Sequence, residues 1–292
     1  MQGAKYVVAL HEAAGVGPKT FRLLMERFGS PQAVFDASVD ELTQLPRIGA
    51  SKASEILRAA DRLEEIEQHL LFLTDSGVDV LTLLDGGYPK RLRQIDDAPP
   101  LLYIKGHLKE EDDLSVSVVG SHQATFEGVQ VATKLGQALA ERGVTVVSGL
   151  ALGIDTASHR GALQGAGRTM AVLGSGLNFI HPKQNLELAE EISLNGALIS
   201  EYPMNAPVNV GRLMARNRVV TGLSGAVIVV EATLNSSGTM DAAVKAKSQG
   251  RPVYAVRWQD CAEKVESSAK LIANGGIPIK DERDIDTIVK AL

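Results

Sequence analysis

Along residues 1–72 apolar positions recur at helical spacing, with short connections and no alternating strand pattern, so this stretch is predicted to be all helix. It holds an internal repeat. The segments GVGPKTFRLL (15–24) and RIGASKASEIL (47–57) align at a spacing of 32 residues, Gly17 on Gly49 and Lys19 on Ser51. Each copy reads as a short helix, a turn of the form hydrophobic-Gly-x-x, and a second helix that begins inside the turn, which is the helix-hairpin-helix pattern. The glycine is expected to permit a tight turn and to let amides at the start of the next helix approach a phosphate. Such pairs grip DNA backbone in some proteins and serve as packing or protein-contact modules in others.

Residues 73–113 change to short extended pieces, 78–83 and 101–104, separated by Gly86-Gly87-Tyr88-Pro89 and Pro99-Pro100. They are expected to join the edge of the sheet that follows. From Leu114 the rhythm is one of short β-branched runs, SVSVV (115–119), VTVVS (144–148), TMAVL (169–173), ALIS (197–200), AVIVVE (226–231) and PVYAV (252–256). Helical stretches at 127–142, 156–166, 185–194 and 240–249 alternate with them. Strands apolar on both faces belong to a parallel sheet covered by helices. The predicted architecture is α/β: a small all-α helix-hairpin-helix (SAM-like) domain at 1–72, a connector at 73–113 and a Rossmann-like, doubly wound, mostly parallel domain at 114–292.

Composition narrows this reading. Hydrophobic residues make up 45% of the chain and charged residues 22%, enough apolar material for two cores. The net charge of −5 disfavours a protein that holds nucleic acid by bulk charge, so any such site must be local. Two windows without carboxylates, 156–186 and 202–230, collect His159, Arg160, Arg168, His181, Lys183, Arg212, Arg216 and Arg218. The lone Cys261 has no partner for an internal disulfide and is read as an inert thiol, in keeping with a reducing compartment. No long apolar run suggests export or membrane insertion, and a cytoplasmic location is expected.

The candidate chemistry lies where the strands end. Gly120-Ser121-His122, Ser148-Gly149, Gly174-Ser175-Gly176 and Ser237-Gly238-Thr239 (following Asn235-Ser236) all combine glycine with small polar residues, which lets amides and hydroxyls reach an anion. Arg212 and Arg216, four apart on a predicted helix, are expected to face a row of phosphates, with Asn217 and Arg218 beside them. Lys183 and Asn185 precede another helix near the same crevice. One of Arg216 and Arg218 is expected to pair with Glu201 or Glu231, and Asp155 to cap the helix starting near Thr156. The first turn is not GxGxxG, and no P-loop, GxSxG elbow, HExxH or metal-ligand spacing occurs, so no catalytic residue, cofactor or metal is expected.

Six blocks carry a resemblance: VVGSHQAT (118–125), VVSGLALGIDTASHRGAL (146–163), AVLGSGLNFIHPKQN (171–185), LISEYP (198–203), ARNRVVTGLS (215–224) and VVEATLNSSGTMDAA (229–243). Together they resemble the DNA-processing protein family, DprA or Smf. The resemblance implies a homodimeric single-stranded DNA-binding protein that loads the RecA recombinase during natural transformation and is not an enzyme. Carried over, the phosphate pocket comprises Gly120, Ser121, Ser148, Gly149, Gly174 to Gly176, Lys183, Arg216 to Arg218 and Ser237 to Thr239. The chain departs from the family pattern at His122, where an arginine is usual, at Leu213-Met214 in place of Phe-Pro, and at Val256-Arg257-Trp258 in place of VPG. Trp258 is expected to be buried, or else to stack a base. A C-terminal winged helix is not expected within the sequence. The competing readings are a nucleotide sensor or phosphoribohydrolase-like enzyme on a related scaffold, and a structural adaptor acting through the helical repeat.

Overall fold

The computed structural model describes residues 3–232, 237–258 and 262–292, which divide into two compact units. The first comprises Met1–Tyr88 and Asp96–Tyr103, the second Pro89–Ile95 and Ile104–Leu292. Cys261, Asn235 and Ser236 lie outside the described residues.

In the first unit six α-helices, α1 (Ala4–Val8), α2 (Pro18–Phe28), α3 (Pro31–Phe35), α4 (Val39–Thr43), α5 (Ala50–Arg58) and α6 (Leu63–Asp75), precede strand β1 (Val78–Thr82) and the first residues of β2 (Leu101–Gly106), whose last residues, from Ile104, belong to the second unit. The 32-residue repeat is visible in the packing: Val16 and Ile48, Phe21 and Ala53, Leu24 and Ile56 occupy matching positions and all are buried. The amides of Phe21 and Ala53 close the first turns of α2 and α5 onto the carbonyls of Gly17 and Gly49, each at 2.9 Å. The sharp bend lies two residues earlier than the sequence suggested. Gly17 and Gly49 are extended N-caps, with φ of −76° and −88°. The left-handed residues are instead the aligned pair Gly15 (φ 61°) and Arg47 (φ 72°).

The second unit holds α7 (Lys90–Arg93) and then strands alternating with helices: β3 (Ser115–Val119), α8 (Phe126–Ala140), β4 (Thr145–Ser148), α9 (Ile154–Gln164), β5 (Thr169–Val172), α10 (Leu186–Asn195), β6 (Ala197–Ser200), α11 (Val210–Leu223), β7 (Ala226–Val229), α12 (Ser237–Ser248), β8 (Val253–Val256), α13 (Ala262–Ala273), β9 (Ile277–Ile279) and α14 (Ile285–Val289). The strands run in the order β6-β5-β4-β3-β7-β8-β9, all parallel, with the last residues of β2 beside β6. Val116 and Val118 of β3, Val146 of β4 and Ile228 of β7 pack with α8 and α9 on one face. The alternate residues of β3 are serines, and they serve the other face. Ser115 and Ser117 donate to the Leu223 and Val220 carbonyls at the end of α11, at 3.0 and 2.9 Å, satisfying acceptors that a helix terminus leaves open.

This order makes β3 the point where the winding reverses. The chain proceeds outward from β3 to β6 on one side and from β7 to β9 on the other, so the ends of β3, β4 and β7 open a crevice where ligands of such sheets bind.

Candidate nucleic-acid site

A cleft of about 490 Å³ occupies that crevice. Its floor is Val119-Gly120 after β3 and Gly149 after β4. Its walls are Ala151, Leu152 and Asp155 ahead of and on α9, one side of α11 (Val210, Leu213, Met214, Arg216, Asn217, Val220) and the start of α12 (Ser237, Gly238, Thr239, Ala242). His122, His181 and Pro182 complete it.

Arg216 is the charged centre of the cleft. It is 6% exposed, and among the described residues no carboxylate lies within 4 Å of it. Its Nη1 donates to the Val172 carbonyl at the end of β5 (3.1 Å), and its Nε has no hydrogen-bond partner among the described residues. Burial weakens its hold on the proton, while nearby Asp155 strengthens it. The guanidinium lies directly over the β4 turn: a Cβ added to Gly149 would fall 1.4 Å from Arg216 Nη1. Gly149 is therefore the residue that gives Arg216 its seat.

Asp155 does not cap its own helix. Gly153 is the N-cap of α9, and the Asp155 carboxylate reaches back to accept from the amides of Gly149 (3.1 Å) and Ala151 (3.4 Å). It thus ties down the turn on which Arg216 rests. Burial pushes its carboxyl up, opposed by the Arg216 charge and by those amides. Gly153 itself has φ of 76°, and a side chain there would run into the Ser121 carbonyl at 2.3 Å, so the β3 and β4 turns can touch only through glycine. His159 is fully buried beneath this region, its Nδ1 2.6 Å from Thr169 Oγ1. Burial and the Arg216 charge push its pKa down to about 3, so it stays neutral.

The loop carrying His122 is anchored from behind. Thr125 caps α8, and its amide and hydroxyl donate to the buried Glu231 carboxylate (3.1 and 2.7 Å). Lys264 donates to Thr125 Oγ1 at 2.7 Å, lies 3.6 Å from Glu231 and sits 4.3 Å from the centre of the Trp258 ring. Trp258 is half-buried: it packs on the core, donates from Nε1 to the Val230 carbonyl (2.7 Å) and does not line the cleft, so it offers no platform for a base there.

The structure brings Gly120, His122, Gly149, Arg216, Asn217, Ser237, Gly238 and Thr239 together in the cleft. The other candidates lie elsewhere. Ser121 accepts from the Gln123 amide, and its own amide is held by the Glu231 carbonyl. Ser148 and Ser175 donate to the carbonyls of Val118 and Phe179. Gly174 and Gly176 allow close packing, against Leu213 and against the backbone of Pro203-Met204. Asn185 is buried, donating to Leu150 O and Thr156 Oγ1. Lys183 is exposed outside the cleft lining. Arg212 and Arg216 do not form a row: Arg212 lies over the Tyr202 ring at 5.1 Å and donates to the Pro207 carbonyl, outside the lining. Arg218 is the arginine that pairs with Glu201, through two contacts of 2.6 Å. Asn217 joins two elements, its Nδ2 donating to Gly238 O (3.1 Å) and Asp241 Oδ2 (2.9 Å). Among the described residues no group of His, Cys, Asp and Glu could hold a metal, and no helix is long and apolar enough to cross a membrane.

Residues 79–290 match the family described as DNA recombination-mediator protein A, and residues 7–62 match the SAM-like helix-hairpin-helix tandem. The chain belongs to the DNA recombination-mediator protein A family. Protein Smf of Synechocystis sp. is 33% identical over 287 residues, which are 96% of this chain and 71% of the relative. The crystal structure of DNA processing protein A (DprA) from Streptococcus pneumoniae has a TM-score of 0.84 at 28% identity, covering 97% of both chains. DNA processing protein A from Helicobacter pylori, whose structure addresses a single-stranded DNA binding mode, has a TM-score of 0.66 at 31% identity, covering 73% of this chain and 96% of that one. Membership in the DprA/Smf family makes the chain a DNA-processing recombination mediator.

Sequence reasoning missed the apolar wall of the site. Leu152, Val210, Leu213, Met214 and Pro182 line the cleft. Their one visible signal was Leu152 standing in a turn of small residues, and Leu213-Met214 standing between the arginines.

Proposed function

We propose that the cleft holds the sugar-phosphate backbone of single-stranded DNA, with a phosphate received by Arg216 and the first turn of α12. In this reading the chain works by binding rather than turnover, acts as a homodimer and hands the strand to RecA. The observation that carries the strand reading is the burial of Arg216 with no carboxylate in contact: Asp155 acts on it from beyond ion-pair distance while held by the Gly149 and Ala151 amides, and a buried guanidinium whose Nε has no partner among the described residues, at a helix-start crevice, suits an anion from outside. A cavity of about 490 Å³ admits a phosphate with its sugar and not a duplex. The apolar wall suits the sugar and base faces that an unpaired strand exposes, without hydrogen-bond readout of sequence. The relatives' names and the Helicobacter pylori structure support the same reading.

Fluorescence anisotropy with labelled poly-dT and a duplex of equal length, titrated with salt, tests it. The expected result is sequence-tolerant, salt-dependent binding that favours the single strand. Arg216→Ala should weaken it about tenfold or more and flatten the salt slope by about 0.7, the value of one single-strand phosphate contact. Hydrolysis of a nucleoside monophosphate without oligonucleotide binding would replace this function with the enzyme reading.

A further inference from the structure

His122 and His181 reach the rim of the cleft from two separate loops, one between β3 and α8 and one ahead of α10. Both are exposed, and neither makes a hydrogen bond or ion pair among the described residues. The other titratable or charged groups facing this space are Asp155 from α9 and Arg216 from α11. Arg216 keeps a fixed charge through neutral pH, and Asp155 is turned down onto the Gly149 and Ala151 amides. The two imidazoles are thus the solvent-facing groups of the cleft whose side-chain type changes charge between about pH 5 and 8.

A phosphodiester is anionic throughout that range, and an anion beside an imidazole favours its protonated form. A ring nitrogen that carries a proton donates to a phosphate oxygen. Resting on the single-strand reading of the cleft, we propose that His122 and His181 are proton-dependent phosphate ligands, so that strand capture takes up protons and tightens as pH falls from about 8 to about 6. The lining then gains positive charge only when the solution or the ligand supplies a reason to protonate it, which suits a chain whose net charge is −5.

The test uses the full chain and labelled poly-dT at pH 6, 7 and 8 at fixed ionic strength, comparing wild type, the double variant His122→Gln with His181→Gln, and His122→Arg. Wild type should bind several-fold more tightly at pH 6 than at pH 8. Its salt slope should also steepen by about 0.7 for each imidazole charged. The double glutamine variant should bind with one weak affinity at every pH. His122→Arg should bind at pH 8 more tightly than wild type and with a shallower pH profile. Circular dichroism at each pH confirms that the chains remain folded. Equal wild-type affinity at pH 6 and 8 overturns the proposal. So does a pH profile that survives in the double glutamine variant, which would assign the proton to buried Asp155. Binding of no oligonucleotide at any pH instead removes the single-strand reading, and this inference with it.

Discussion

Gly149 and Arg216 act as one device. The glycine is not in the left-handed region, so the backbone would accept alanine, but the methyl group would occupy the place of Nη1. Gly149→Ala should therefore lift Arg216 from its seat and weaken poly-dT binding about as much as Arg216→Ala, roughly tenfold, with the two losses failing to add in the double variant. Anisotropy on the single and double variants reads this directly. The sequence marked Gly149 as a small residue beside a strand end and credited it with admitting an anion. The interior use of the space, to admit an arginine, was illegible because Arg216 lies 67 residues away. The same distance hid the fates of the neighbouring arginines. Arg212 and Arg216 share a helical spacing, yet Tyr202 draws one outward and the strand end holds the other.

At the scale of elements the sequence was far more legible. Apolar β-branched runs marked β3 to β8 to within two residues, because burial on both faces leaves little compositional freedom, whereas β9, exposed at Ile277 and Pro278, had no such run. Repeat spacing likewise exposed the hairpins, since Val16 and Ile48, or Leu24 and Ile56, must fill equivalent places in one small core. What spacing could not show was which residue of each hairpin bends. Arg47 carries the left-handed conformation that Gly15 carries in the first copy, and for a residue with a Cβ this costs about 1 kcal/mol or more. Arg47 is exposed, so little packing is lost on its replacement. Arg47→Gly should stabilise the chain by about 0.5–1 kcal/mol, seen as a midpoint of thermal unfolding a few degrees higher. An unchanged or lower midpoint would mean that the arginine side chain contributes more than its backbone costs.

Across the whole molecule charge is divided unevenly. The first unit contains eight basic and fifteen acidic residues, a formal −7, which leaves +2 for the second. A helix-hairpin-helix pair on so acidic a unit has little electrostatic attraction for DNA, and its hairpin cations are partly engaged: Lys52 donates to the Ala14 carbonyl and to Glu55. Lys19→Ala at the exposed first hairpin should leave both the affinity for poly-dT and its salt slope unchanged within about twofold, while the cleft variants lower both. A loss comparable to that of Arg216→Ala would bring the hairpins into the binding surface. The buried guanidinium also has a thermodynamic meaning of its own. A carboxylate in direct contact with Arg216 would raise the free protein's robustness, and among the described residues none lies within 4 Å; Asp155 acts only from farther off. An anion that docks there supplies a counter-charge in contact, so filling the site and hardening the protein against unfolding are a single equilibrium seen from two ends.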